Sequence, residues 1–185
     1  MSDNIETLNI FTPRTLADLL SLKRRKPEVT LFAGGTYILH NSSDKYPPLP
    51  STVASIRHLE ELKRIHRTER YIELGSCVTL AEILRIGGRT IPPILAHAIR
   101  AVASPPVRSL ATLGGNICAR DKRLSLFPVL LVLDARLELR EHGGSRWVPI
   151  ARMAESDGEL IISSTEVLTR VRIPLSEWNL SLIHI

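Results

Sequence analysis

The sequence has few aromatic residues, and this scarcity excludes one class of function. Only 4% of its 185 residues are Phe, Trp or Tyr, too few for the stacking platforms that bind single-stranded nucleic acid. The formal net charge of the chain is +5. The basic residues are dispersed along the sequence, apart from clusters at 23–26 and 120–123. We interpret this charge as an ordinary surface with some attraction for phosphates.

Cysteine is scarce as well, since Cys77 and Cys118 are the only two. There is no C-x-x-C pair and no cluster of histidines, so a zinc or iron–sulfur site within this chain is not expected. Isolated cysteines behave as small hydrophobic residues. We therefore predict two buried, reduced thiols.

Long apolar runs are missing too. No run is long enough to span a bilayer, and Met1–Glu6 is polar and acidic, unlike a signal peptide. The chain is 44% hydrophobic and 23% charged, a globular composition with material for one sizeable core or two small ones. The expected location is the cytoplasm.

Common catalytic and nucleotide-binding motifs are also absent. The chain has no G-x-S-x-G turn, and its six histidines are scattered without convincing carboxylate partners. It has neither the G-x-G-x-x-G fingerprint nor a P-loop. These absences argue against a hydrolase and against a plain nucleotide-binding α/β protein.

Two Gly-Gly pairs are present instead. Gly34-Gly35 follows an apolar strand at 29–33, and Thr36 can cap the short helix expected after it. Gly114-Gly115 closes the stretch SPPVRSLATLGGN at 104–116. Glycine allows a close backbone approach, and consecutive free N–H groups in such a turn bind anions. Either pair alone is more often a tight turn, but together they suggest two loops around one dinucleotide pyrophosphate.

The order of predicted elements indicates two units and a tail. Residues 1–57 form a small α/β unit whose helix starts at Thr12-Pro13. Residues 58–177 begin with a linker helix at 58–65 and continue with three helices and about five strands, mostly antiparallel. Residues 178–185 remain outside both units.

Three local patterns refine the second unit. Residues 71–76 alternate as a strand with one apolar face. Thr79 and Glu82 have the spacing of a capping box, which predicts a helix after Thr79. Closing strands are predicted at 160–163 and 168–174.

The pairs AGGT at 33–36 and TLGGN at 112–116 resemble the FAD-binding domain of the molybdenum hydroxylases, which include xanthine dehydrogenase, carbon monoxide dehydrogenase and nicotinate dehydrogenase. The resemblance extends over about residues 8 to 175, with several motifs in the family's order. The matching segments are TPRTLADLLSL (12–22), GSCVTLAEIL (75–84), AVASPPVRSLATLGGNI (101–117), FPVLLVLDARLEL (127–139) and LTRVRIP (168–174).

The resemblance implies a two-lobed α+β domain of the p-cresol methylhydroxylase type, with FAD between the lobes. The smaller lobe would be α/β, and the larger would carry a mostly antiparallel five-stranded sheet. The family's C-terminal domain would begin near residue 178, so the chain is expected to be truncated or to rely on another subunit at that edge.

The resemblance also implies a set of cofactor-binding residues and no catalytic or metal-binding ones. Val102 and Leu168 match family positions beside the flavin, with core packing as an equal alternative. Ser125 takes the place of an acidic residue, so it would hydrogen-bond without a charge. The full set is Leu31, Phe32, Ala33, Gly34, Gly35, Thr36, Tyr37, Ile38, Val102, Thr112, Leu113, Gly114, Gly115, Asn116, Ser125 and Leu168.

The implied function is that of an FAD-binding electron-transfer subunit. Its partners would be a molybdenum-cofactor subunit and a two-iron, two-sulfur subunit, with NAD or another compound as the electron acceptor. The alternative is a degenerate or truncated flavin-fold scaffold that does not hold FAD on its own.

Overall fold

The computed structural model of the protein describes residues 8–40, 49–87, 90–119, 126–153 and 161–175. Within these ranges the chain forms eight strands in two sheets and seven α-helices. None of the helices in these ranges is long and apolar enough to cross a membrane.

The smaller sheet is parallel and has three strands in the order β1-β3-β2. Its strands are β1 (Asn9–Phe11), β2 (Thr30–Phe32) and β3 (Thr52–Ser55). Helix α1 (Leu16–Arg25) connects β1 to β2, and the short helix α2 (Thr36–His40) follows β2. The predicted strand–helix–strand–loop–strand order is therefore present.

Helix α1 begins after Thr15 and not at the predicted Thr12-Pro13. The Thr15 hydroxyl accepts a hydrogen bond from the Asp18 amide at 3.1 Å, and the Asp18 carboxylate accepts one from the Thr15 amide at 3.0 Å. This capping box satisfies amide groups that a helix start otherwise leaves free, and so it determines where the helix begins. The helix ends before Pro27, as predicted.

The basic end of α1 is less solvated than the sequence suggests. Lys23 is buried, and its ammonium group donates to the carbonyl oxygens of Pro27 at 2.7 Å and Val29 at 3.2 Å. Burial lowers the pKa of Lys23. The two hydrogen bonds tie the end of the helix to the chain that leads into β2.

The larger sheet is antiparallel and has five strands in the order β4-β5-β8-β6-β7. The strands are β4 (Ile65–Arg67), β5 (Tyr71–Gly75), β6 (Arg136–Glu141), β7 (Gly144–Pro149) and β8 (Val167–Pro174). This arrangement confirms the predicted fold class. Strand β8, the last of the described strands, occupies the centre of the sheet.

Helices α3, α4, α6 and α7 pack against one face of this sheet, called the inner face, and bury the main core with it. The capping box of Thr79 and Glu82 opens α3, as predicted. The helices of this unit are α3 (Leu80–Ile86), α4 (Pro93–Ala101), α5 (Pro105–Arg108), α6 (Leu113–Cys118) and α7 (Phe127–Val132).

A second core joins the two sheets. Leu19 and Leu22 of α1 and Ala54 of β3 are buried in one cluster with Cys77 and Val167 of the larger unit. Burial raises the pKa of the Cys77 thiol to about 11, which agrees with a buried, reduced cysteine. The cluster packs α1 and the small sheet against the larger unit.

Three sequence predictions are not met by the structure. The linker helix at 58–65 is only a 3₁₀ turn, Glu60–Leu62, followed by β4, because β4 pairs with β5. The predicted strand at 160–163 is not formed at 161–163, and residue 160 lies outside the described ranges. Cys118 is exposed and not buried.

A bulge interrupts the central pairing of the larger sheet. Leu168 pairs with Leu139 and Arg170 with Glu138, so Thr169 is an extra residue in β8. A bulge re-aims the side chains beside it. Here Leu168 lies in the core with the inner-face residues, whereas Thr169 and Arg170 contact Glu138 on the opposite, outer face.

Glu138 is buried on the outer face, and both of its oxygens are saturated with hydrogen bonds. Its Oε1 accepts from Arg170 Nη2 at 2.6 Å and from Arg140 Nη2 at 3.1 Å. Its Oε2 accepts from Thr169 Oγ1 at 2.6 Å and from Arg170 Nε at 2.7 Å. Burial alone would raise the pKa of Glu138, but the hydrogen bonds from Arg170, Thr169 and Arg140 lower it to about 2.

Glu73 is the second buried carboxylate of this face. It accepts hydrogen bonds from Arg170 Nη1 at 2.9 Å and from Arg172 Nε at 2.8 Å. The Arg172 guanidinium also lies 4.5 Å from the ring centroid of Tyr71 and 4.1 Å from that of Trp147. Arg170 therefore bridges two carboxylates, and the aromatic rings hold Arg172 in place by cation–π contacts.

We predict that Glu138→Gln destabilises the protein and flattens its response to acid. The pKa of Glu138 is about 2 in the folded protein against an ordinary value of 4.5. Its contribution is thus complete above pH 4.5 and is lost as the pH falls towards 2. Removing one partner of a buried ion pair costs about 3 kcal/mol. Urea denaturation at a series of pH values measures both effects.

The matched control is Glu141→Gln, at the exposed end of the same strand. It should leave the free energy of unfolding within about 0.5 kcal/mol of the unmodified protein. Equal stabilities of the Glu138 and Glu141 variants across the acid range would contradict the prediction.

Candidate functional site

The structure brings the two predicted Gly-Gly stretches together. A Cβ placed on Gly34 would lie 1.9 Å from the carbonyl oxygen of Leu110 and 3.3 Å from the amide nitrogen of Ala111. Leu110 and Ala111 lead directly into TLGGN at 112–116, which is called the second stretch from here on. The first loop therefore packs on the backbone that precedes the second, and only glycine fits at position 34.

The first stretch has the geometry of an anion-binding turn. Gly35 has a φ of 70°, and the side chains of 31–38 that the structure describes are partly exposed. No hydrogen bond between described residues uses the amide N–H groups of Ala33, Gly34, Gly35 or Thr36. A run of free amides in a turn forms a concave site for negative charge. Thr36 itself is the first residue of α2 and not its cap.

The second stretch is a helix start and not the predicted open loop. Thr112 is the N-cap of α6, and its hydroxyl accepts from the Gly115 amide at 3.1 Å. The amides of Leu113, Gly114 and Asn116 donate to the carbonyls of Val78, Ser76 and Thr112 at 2.9, 2.8 and 2.9 Å. All four amides are thus used within the protein, contrary to the expectation of free N–H groups.

The two glycines of α6 have different surroundings. Gly114 is buried, and a Cβ there would lie 2.7 Å from Ser76 Cβ and 2.9 Å from the Ser76 carbonyl oxygen. Gly115 is exposed, and a Cβ there would meet only the Thr112 hydroxyl, at 2.8 Å. Gly114 is therefore needed for packing against Ser76. Gly115 is exposed, and it lies a few residues after Leu110, on which Gly34 of the first stretch packs.

Two of the three predicted residues outside these stretches, Val102 and Leu168, do not face an open site. Val102 and Leu168 are 9% and 7% exposed and belong to the main core, which agrees with the packing alternative. The residue after Leu168 is nevertheless connected to the second stretch. The carbonyl of Thr169 accepts a hydrogen bond from the Ser76 amide, and the Ser76 carbonyl accepts one from the Gly114 amide. Ser125 lies outside the described residues.

Several residues outside the predicted set of cofactor-binding residues shape the site. Leu110 supplies the backbone against which Gly34 packs. Arg108 Nη1 donates to the carbonyls of Val102 at 2.9 Å and Ala103 at 2.5 Å, and so caps the end of α4. Ser76 is buried, and its hydroxyl has no hydrogen-bond partner within the described ranges. No sequence signal marks Leu110, whereas Ser76 can be located from its position at the end of the predicted strand at 71–76.

Comparison with known proteins adds a family and several relatives. Residues 5–176 match the model of the FAD binding domain in molybdopterin dehydrogenase. A putative xanthine dehydrogenase FAD-binding subunit of Escherichia coli K12 is 32% identical over 166 residues, which cover 86% of this chain and 55% of that protein. Aldehyde oxidase 2 of Cavia porcellus is 30% identical over 179 residues, 90% of this chain and 13% of that protein.

Solved structures share the fold. Carbon monoxide dehydrogenase from Hydrogenophaga pseudoflava matches with a TM-score of 0.82 at 21% identity and covers 91% of this chain and 59% of its own. Quinoline 2-oxidoreductase from Pseudomonas putida 86 matches with a TM-score of 0.77 at 25% identity, with the same coverage. The chain spans about half the length of the bacterial xanthine dehydrogenase relative.

We predict that Gly34→Ala lowers the free energy of unfolding by about 1–3 kcal/mol, because the new methyl group overlaps the Leu110 carbonyl and forces the two segments apart. Chemical denaturation measures the change. Gly143→Ala is the control, since a Cβ there would meet no atom within 4 Å. If both variants are equally stable, the close contact between the two segments is refuted.

Proposed function

Because the chain belongs to the family of FAD-binding domains in molybdopterin dehydrogenases, we propose that it is the FAD-binding electron-transfer part of a molybdenum-containing hydroxylase or dehydrogenase complex. In this proposal electrons arrive from iron–sulfur centres and leave to NAD or another acceptor. The family assignment confirms the predicted resemblance, the cofactor FAD and the oxidoreductase class of the relatives. The complex, the acceptor and a cytoplasmic location stay predictions.

The observation that carries the proposal is the set of free amides in the first Gly-Gly turn. FAD contains a pyrophosphate, and Ala33 to Thr36 offer N–H groups that no described residue uses. Hydrogen bonds from uncharged amides to an anion are stronger than those to neutral acceptors. The residues present therefore fit the charged part of the cofactor.

The second stretch would act differently. Its amides are occupied, so we propose that Gly115 supplies an open surface for the adenosine–pyrophosphate part and not a second set of donors. Thr112 and Gly114 would hold this surface in place through the cap and the contact with Ser76. Val102 and Leu168 would support the site from the core.

FAD, when bound, supplies the capacity to accept electrons from a partner and pass them to a soluble acceptor. The chain's own residues bind and orient the cofactor. In this proposal the chemistry on the substrate takes place in the molybdenum-bearing partner.

The partners are proposed from the relatives. The bacterial relative is named as an FAD-binding subunit of xanthine dehydrogenase, and the matching carbon monoxide dehydrogenase is described in a form that lacks the Mo-pyranopterin moiety of its molybdenum cofactor. We propose a molybdenum-cofactor subunit and a two-iron, two-sulfur subunit as the corresponding partners here.

One observation favours the alternative of a scaffold that does not hold FAD on its own. All four amides of the α6 start are bonded within the protein, so only one of the two predicted loops offers free donors. Under this alternative the fold would be kept for assembly, and added FAD would not be retained.

We predict that the protein retains FAD, but not riboflavin, after incubation and desalting, because riboflavin lacks the pyrophosphate that the first turn binds. The visible absorbance of the desalted protein measures retention. Equal retention of both ligands would contradict a role for the turn. Retention of neither ligand by a folded protein would favour the scaffold.

Gly35→Ala should weaken FAD binding about tenfold, since an alanine at φ 70° costs about 1–2 kcal/mol and its Cβ would lie 2.4 Å from the Phe32 ring. Titration with FAD followed by flavin fluorescence measures this change. Gly144→Ala, where a Cβ would meet no atom within 4 Å, is the control and should bind FAD normally. An unchanged affinity of the Gly35 variant for FAD would contradict the proposal that the first Gly-Gly turn binds FAD.

A further inference from the structure

We propose that one part of the outer face of the larger sheet is an interaction surface for an acidic segment of a partner protein. It consists of Tyr71, Arg136, Trp147 and Arg172, and we call it the arginine–aromatic surface. Arg136 is exposed, and the other three residues are partly exposed. None of the four lines the cleft that α1 forms over this face with Glu138. The surface therefore lies beyond the part of the face that α1 covers.

Two arginines lie directly opposite each other on this surface. Arg136 of β6 pairs with Arg172 of β8, and Arg172 in turn pairs with Glu73 of β5. Like charges that are directly opposite on antiparallel strands repel each other. Glu73 accepts hydrogen bonds from Arg172 and Arg170, whereas Arg136 forms no ion pair within the described ranges. A carboxylate from outside would relieve this repulsion.

Arginines outnumber acids on the outer face as a whole. Glu73 and Glu138 are only 5% and 1% exposed and are already bonded to arginines. Asp134, just before β6, is exposed and has no ion pair with an arginine of this face among the described residues. Residues 60–70, at the margin, contain three acids and four Lys or Arg residues, so they do not offset the positive charge. Against the three acids of the face stand four arginines, Arg136, Arg140, Arg170 and Arg172.

The surface also has the composition and the order of a protein interface. Tyr, Trp and Arg are the residues most enriched at the energetic centres of interfaces. The Arg172 guanidinium lies 4.5 Å from the ring centroid of Tyr71 and 4.1 Å from that of Trp147, yet its side chain is still 32% exposed. Because the rings and Glu73 already hold Arg172 in one position, binding would cost little additional side-chain entropy.

A protein carboxylate fits this surface better than a nucleic acid does. A planar guanidinium group donates two parallel hydrogen bonds to a carboxylate, and Arg136 and Arg172 place two such groups side by side. Nucleic acids are bound through many phosphate contacts, whereas the positive surplus here is small. Both aromatic rings are moreover in contact with Arg172. We therefore expect a short segment that contains a few Asp or Glu residues.

The arginine–aromatic surface does not depend on the candidate FAD site. It lies on the outer face, whereas Leu113 of α6 and Leu168 are buried in the core on the inner face. Loss of one binding activity should therefore leave the other in place, and the two proposals can fail independently.

The test is a titration of fluorescein-labelled hexaglutamate peptide with the full chain, followed by fluorescence anisotropy. We expect hexaglutamate to bind, hexaglutamine not to bind, and added salt to weaken the binding. Arg136→Gln should weaken hexaglutamate binding about fivefold because it removes one partner of an exposed ion pair. Arg136→Glu should weaken it about tenfold or more because it places a like charge against the peptide. Retention of FAD should be the same in both variants as in the unmodified protein.

Arg67→Gln is the matched control. It removes the same charge from the same sheet, but Arg67 is exposed and pairs with Ile72, a residue of the inner-face core. It should leave the affinity for hexaglutamate within about twofold of the unmodified protein. Circular dichroism shows whether each variant is folded.

Three outcomes would overturn the proposal. Equal weakening by Arg136→Gln and Arg67→Gln would show a general attraction of the peptide to a basic protein. Tighter binding of single-stranded oligothymidylate, with the same dependence on Arg136, would assign the surface to nucleic acid. Absence of hexaglutamate binding by the folded protein would show that the surface does not accept carboxylates.

Discussion

The structure depends on one guanidinium group held between two buried carboxylates. Arg170 bonds Glu73 on one neighbouring strand and Glu138 on the other. Buried charges are stable only when paired. These contacts therefore form only when β8 pairs with both β5 and β6 in the register that places Arg170 beside Glu73 and Glu138. The bulge at Thr169 completes the arrangement, because the extra residue supplies a hydroxyl to Glu138.

The two Gly-Gly stretches look alike in sequence and differ in their hydrogen bonds. In the first, where Gly35 has a positive φ, no described residue accepts a hydrogen bond from the amides of Ala33 to Thr36. In the second, the Thr112 cap and the turn after β5 consume the amides. The glycines therefore serve two purposes: one pair presents donors, and the other allows backbones to pack closely.

The parts of the fold that were predictable from sequence are those with local causes. The Thr79–Glu82 capping box and the alternation in β5 depend on neighbouring residues, and both are present. Strand β4 was missed because only pairing with β5 makes it a strand. The contact of Gly34 with Leu110 joins distant segments, and no local pattern reports it. The resemblance located both stretches, but it could not show how their amides are used.

The position of β8 has a consequence for biosynthesis. This strand is the last of the sheet in the sequence, yet it separates β5 from β6, and its arginines reach Glu73 across 97 and 99 residues of chain. Pairings over such separations form slowly, since a long loop must close first. On the ribosome, the β4–β5 and β6–β7 hairpins emerge before the strand that joins them. Until β8 is available, both hairpins have an unpaired edge, and this interval is when a nascent chain would most need a chaperone.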